Sequence, residues 1–139
     1  GAVWEDACVE FFSIPAGDGI YYNVECNCAG ILLIGAGAGR ENREHAPQEV
    51  MDKVQRWSSL GRQSFEERVG ECNWELALVI PYSAFFKHQI TSLDGKTVRA
   101  NFYKCGDKLQ TPHFLSWNPI ALEKPNFHCP EFFGTLNFE

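Results

Sequence analysis

Residues 7–28 read ACVEFFSIPAGDGIYYNVECNC, two β-forming runs joined by a turn. Ala7 to Ile14 is short, aromatic and β-branched, and Pro15 with Ala16-Gly17-Asp18-Gly19 supplies the break that a hairpin needs. Ile20 to Cys28 follows at hairpin distance. Successive strand side chains point to opposite faces, so Tyr22, Val24, Cys26 and Cys28 share one face, and Tyr21, Asn23, Glu25 and Asn27 share the other. The first set suits a core. The second is an aromatic followed by three hydrogen-bonding groups.

Val98 to Cys105 repeats that division, with Val98, Ala100 and Phe102 on one face and Arg99, Asn101 and Tyr103 on the other. Further strands are expected at Ile31 to Ile34, Trp74 to Ile80, His113 to Trp117 and Thr135 to Phe138. Helical signal is thin. Pro47 to Trp57 places Val50, Val54 and Trp57 on one helical face, which predicts that Trp57 packs, and Tyr82 to Lys87 has room for one more turn. The polar segment from Arg40 to Arg68 reads as a long surface excursion. Seven short strands with one or two short helices predict an all-β fold, an antiparallel, jelly-roll-like β-sandwich.

At 139 residues the chain is one domain by length, and its formal charge of -6 argues against nucleic acid and anionic lipid as partners. Its longest apolar run, Ala29 to Ala38, is broken by glycines and is far short of the roughly 18 residues of a membrane span. Gly1 opens the chain without an initiator Met or a signal peptide, as expected of a processed or excised segment. The six cysteines have no metal-site spacing and read mainly as small buried hydrophobes, with a disulfide framework as the alternative. The glycine-rich stretch Gly35 to Gly39 lacks a Lys-Ser/Thr end and reads as a bulged strand or turn, not a phosphate loop.

A sheet face of Asn, Glu, Arg and Tyr differs from a plain solvated face and suits a polyhydroxylated ligand, because each sugar hydroxyl both donates and accepts. Two ordinary exposed faces are the alternative. Trp4, in a polar lead-in, and Phe127, in a loop between Pro125 and Pro130, are the rings expected at a surface beside such a face. Catalytic signals are weak: Glu5, Asp6, Glu10 and Glu25 offer carboxylates for a glycosidase pair, the four histidines share no spacing, and no nucleophile elbow is present.

Residues 3–12, VWEDACVEFF, resemble the Trp-Glu-x-Asp-x-Val-Glu-x-Phe motif of family 9 carbohydrate-binding modules. Phe114-Leu115-Ser116-Trp117-Asn118-Pro119 and residues 127–136, FHCPEFFGTL, are similar to that family's closing segments, and Tyr21 to Asn27 with Ala100 to Tyr103 resemble its bacterial family-9-like members. The resemblance implies a β-sandwich that binds plant cell-wall glucan or xylan without catalysis, clamping a sugar between Trp4 and Phe127 with polar contacts from Glu10, Asn23, Glu25, Asn101 and Tyr103. It further implies secretion or a periplasmic location, an attached or associated glycoside hydrolase, and structural calcium in some members, for which Glu5, Asp6 and Asp18 are oxygen donors. The family domain starts well upstream of the opening motif, so residues 1–139 are expected to be a single module lacking the N-terminal strands. A hydrolase and a protein-interaction domain are the other function classes.

Overall fold

The computed structural model describes residues 6–139. Nine strands and one short helix follow in chain order: β1 (Cys8–Ile14), β2 (Tyr21–Asn27), β3 (Leu32–Gly37), β4 (Glu44–His45), α1 (Gln48–Met51), β5 (Gln55–Ser58), β6 (Leu76–Val79), β7 (Thr97–Gly106), β8 (His113–Ser116) and β9 (Gly134–Asn137). Seven strands form one antiparallel sheet in the order β4-β3-β2-β1-β7, and the far edge of the ten-residue β7 is shared by β8 and β9. β5 and β6 pair as a second, two-stranded sheet. The all-β, antiparallel sandwich class expected from the strand pattern is the one observed.

The β1–β2 hairpin forms where the sequence placed it. Gly17 and Gly19 take positive φ values of 67° and 83°, and the Asp18 side chain accepts a bond from the Ile20 N–H at 3.1 Å, so the turn is held locally. Register then decides the faces. Glu10 lies between Glu25 and Tyr103, Phe12 between Asn23 and Asn101, and Cys8 between Asn27 and Cys105. The predicted polar residues of β2 and β7 therefore share one side of the sheet with Glu10 between them.

On the opposite side, Val24, Cys26, Leu32 and Ile34 form the main core with Val54, and Leu76 and Leu78 of the second sheet, with the adjoining Ile80, pack against it. A second group joins Tyr22, Ala36 and Val98 to Phe85 and Leu93. Residues 82–84 form a single 3-10 turn, within the span expected to hold one.

Three local expectations are corrected. The helix predicted over residues 47–57 is confined to Gln48–Met51, and Gln55–Ser58 pairs with β6 instead. Trp57, opposite Ala77, points outward and is 55% exposed, so it does not pack. Cross-strand pairing offers more backbone bonds than a second helical turn with few buried side chains. The segment 40–68 is not wholly a surface excursion either, since it supplies β4, α1 and β5.

The polar sheet side is not open to solvent as a flat face. All seven residues of β2 are buried, on both sides. The connection between β8 and β9 crosses over it, where Phe133, Phe127 and Ile120 pack on Phe12, Tyr21 and Tyr103. What stays accessible is a cavity at the Glu10–Glu25 end.

Candidate functional site

The cavity measures about 440 Å³, within the range of small-ligand sites. Glu10, Asn23 and Glu25 form its floor, with Leu33 and Cys105 beside them. Arg40, Arg43 and His45 lie along one wall, and Phe114, Asn126, Phe127 and His128 along another. The structure thus brings together four residues singled out in the sequence: Glu10, Asn23, Glu25 and Phe127. Trp4 lies outside the described residues.

Arg43 organises the floor. Its Nε and Nη2 donate to Asn23 Oδ1 at 3.1 and 2.7 Å, and Nη2 also donates to the Tyr21 carbonyl at 2.9 Å. Nη1 donates to the Gly39 carbonyl at 2.9 Å, and the guanidinium sits 4.1 Å from the Tyr21 ring centroid. Asn23, its Oδ1 held in that fork, donates from Nδ2 to Glu25 Oε1 at 3.1 Å. The glycines of β3 make room for this relay. A Cβ at Gly35 would fall 2.6 Å from Asn23 Oδ1, and one at Gly37 would fall 3.3 Å from Arg43 Nη1. Gly35 and Gly37 belong to β3, whose register with β2 runs one to one without the bulge expected of the glycine-rich stretch.

Glu10 and Glu25 are opposite each other in the β1–β2 register and are 5% and 4% exposed. Burial, then the like charge of Glu25 and the adjacent Cys105, raise the Glu10 carboxyl far above its ordinary range. Burial also raises Glu25, to about 7, against the Asn23 hydrogen bond and the Arg43 charge, which act in the opposite direction. The Glu25 Oε2 atom has no hydrogen-bond partner among the described residues. A carboxyl that keeps its proton can donate as well as accept, which suits hydroxyl groups.

Aromatic rings form the opposite wall. Phe127 stacks on Tyr103 with ring centroids 4.1 Å apart and planes 10° from parallel, and Phe114 meets Phe127 edge-on at 6.2 Å. Tyr103 Oη donates to the Phe127 carbonyl at 3.1 Å, which fixes the loop on the sheet. His128 pairs through Nδ1 with the Tyr21 hydroxyl at 2.9 Å, and burial, with Arg43 and Arg40 nearby, lowers it to about 4.

Asn101 and Tyr103 share the face but not the cavity. Asn101 is fully buried and committed: Nδ2 donates to the Asn118 carbonyl at 3.1 Å, and Oδ1 accepts from the Phe102 and Asn118 N–H groups at 3.0 and 2.8 Å. Tyr103 supports Phe127 from below. Sequence reasoning missed Arg43, Arg40, His45 and Phe114. Their positions follow from how 40–45 and β8 return to the sheet, and the only local trace is the alternation of Gly35 and Gly37 on one face.

Of the oxygen donors offered for calcium, Glu5 lies outside the described residues and Asp6 is exposed. Asp18, in the β1–β2 turn, accepts from the Ile20 N–H and pairs with His88 Nε2 at 2.7 Å. Among the described residues the close group of ligand atoms is Cys8, Glu10 and Cys105, and its two sulfurs are not calcium donors.

Comparison with known proteins agrees with this architecture. A solved structure of a candidate carbohydrate-binding protein from Bacteroides uniformis is 70% identical, superposes with a TM-score of 0.96, and is matched over 100% of this chain and 64% of its own. The present chain therefore spans less than two thirds of that protein's length. No curated protein shows a significant match. The family model described as carbohydrate-binding family 9 matches residues 1–138, and the chain belongs to that family.

Proposed function

We propose that the cavity holds a pyranose unit of a plant cell-wall polysaccharide of the xylan or glucan class, without catalysis. The observation that carries this is the pairing of an aromatic wall, Phe127 backed by Tyr103, with a floor of two buried carboxyls and an amide. Glu25 Oε2 is an acceptor with no partner among the described residues, and a sugar hydroxyl is a donor that satisfies it. Glu10, Asn23 and Glu25 make the polar contacts, Phe127 stacks, and Trp4 contributes the second ring of the clamp. Asn101 and Tyr103 act by holding the loop 117–128 in place. Affinity is modest, because a site with few rings buries little surface.

Affinity electrophoresis in gels containing soluble xylan or β-glucan tests this. Retarded migration that Phe127→Ala reduces is expected, and unretarded migration in both gels overturns it. Release of reducing sugar that disappears in Glu10→Gln would instead favour a hydrolase.

The same reading extends to the whole protein. No helix among the described residues is long and apolar enough to cross a membrane. A secreted or periplasmic protein working beside a glycoside hydrolase fits the ligand. Residues 1–139 form one module, completed by strands from chain outside these residues. A groove of about 570 Å³ on the apolar side supports that last point: it is lined by Val9, Phe11, Leu136 and Phe102, the last 41% exposed, and the Bacteroides uniformis protein has more chain.

A further inference from the structure

We propose that Cys8, Glu10 and Cys105 form a site for a thiophilic divalent cation of the zinc class at the floor of the cavity. Cys8 and Glu10 are alternate residues of β1 on the same face, and Cys105 is directly across from Cys8 on β7. All three are buried, and one ligand atom from each lies within 4.8 Å of the other two.

The spacing fits the ion. Tetrahedral zinc with a sulfur at about 2.3 Å and a carboxylate oxygen at about 2.1 Å holds those two atoms roughly 3.6 Å apart. Cys105 Sγ and Glu10 Oε1 stand 3.6 Å apart. Two sulfurs and one carboxylate select a borderline-soft cation over calcium or magnesium. Three protein ligands leave a fourth position on the side of the cavity that Glu10 and Cys105 line.

A second observation points to a ligand at this floor. Glu25, opposite Glu10 and lining the same cavity, is 4% exposed and keeps Oε2 without a hydrogen-bond partner. Two acids and two thiols thus share one buried patch. An ion there would take the two thiolates and the Glu10 carboxylate as ligands, and their protons would leave to solvent.

The test uses the metal alone, without saccharide, so its outcome is independent of the carbohydrate reading. The background is Cys28→Ser with Cys72→Ser, which removes the half-exposed and the exposed thiol. The reduced, metal-free protein is titrated with Co²⁺ under inert gas. One Co²⁺ per chain is expected, with a thiolate-to-cobalt charge-transfer band that one equivalent of Zn²⁺ abolishes. Cys8→Ser and Cys105→Ser, each keeping one thiolate, should weaken Co²⁺ binding and cut the band per bound Co²⁺ to about half. Where circular dichroism shows either variant unfolded, Glu10→Gln decides, and it should weaken Co²⁺ by at least roughly the tenfold typical of an outer-shell change. Folded background protein without the band overturns the proposal. So does a band of undiminished intensity in Cys8→Ser, or Glu10→Gln binding Co²⁺ as tightly as the background.

Discussion

Gly35 of β3 lies directly opposite Asn23 of β2, and the Asn23 side chain occupies the space a Gly35 side chain would need. There Asn23 Oδ1 accepts both N–H groups that Arg43 sends across the strand. The fork holds the amide, and the amide orients Glu25.

Gly35→Ala tests that relationship. The new methyl would meet Asn23 Oδ1 at 2.6 Å, so either the amide or the strand must move. A loss of about 1–3 kcal/mol in urea unfolding is expected, as for overpacking elsewhere. Gly39→Ala, with nothing within 4 Å of its added Cβ, is the control and should stay near wild type.

Arg43→Ala removes the donors to Asn23 Oδ1 and to the Tyr21 and Gly39 carbonyls. Stability should fall by about 2–3 kcal/mol, because half-buried acceptors lose charged partners. Arg43→Lys should recover only part of this, since an ammonium cannot reproduce the planar fork. Thermal melts of the two variants read the difference.

Asn101→Ala separates a supporting residue from a contact residue. It leaves the Asn118 N–H and carbonyl and the Phe102 N–H without their partner, at a cost of about 2–4 kcal/mol. Folded protein at low temperature should still be retarded by xylan or β-glucan. Selective loss of retardation at unchanged stability would assign Asn101 to the ligand.

Phe127→Ala should do the reverse. It removes the stack on Tyr103, worth about 1 kcal/mol, and the aromatic wall of the cavity. Retardation should drop severalfold while the melting temperature shifts little, and Phe127→Trp should restore binding.

His128 imposes an acid limit on stability. Its folded value, about 4, lies below the ordinary histidine range, so the unfolded chain takes up the proton first as pH falls. The stabilisation is therefore complete above about pH 6.5 and is lost as pH drops from there towards 4. For a partly solvated ring the loss is on the order of 1–2 kcal/mol. The raised carboxyls of Glu10 and Glu25 act in the opposite direction over this range, so the effect is read as a difference: the wild-type advantage over His128→Gln in denaturant midpoint should shrink from pH 7 to pH 4.5. A wild-type advantage over His128→Gln that stays the same at both pH values would contradict the assignment.

Much of the fold was readable in local pattern. Hairpin residues 7–28, the alternation of Leu76, Leu78 and Ile80, and the two faces of β7 all depend on period-2 chemistry within one strand. Four site residues followed from the same alternation joined to motif resemblance. The helix at 47–57 failed because its periodicity was weaker than a pairing with β6, about twenty residues away.

By itself, the order of side chains determined which residues share a sheet face, because alternation is a property of the single strand. Only the tertiary structure decided what that face becomes. Loop 117–133 roofs Asn101 and Tyr103, Arg43 arrives from beyond β3, and Cys105 comes to rest opposite Cys8. Those placements depend on register and on the path of long connections, whose energies are sums over distant contacts that no local window contains.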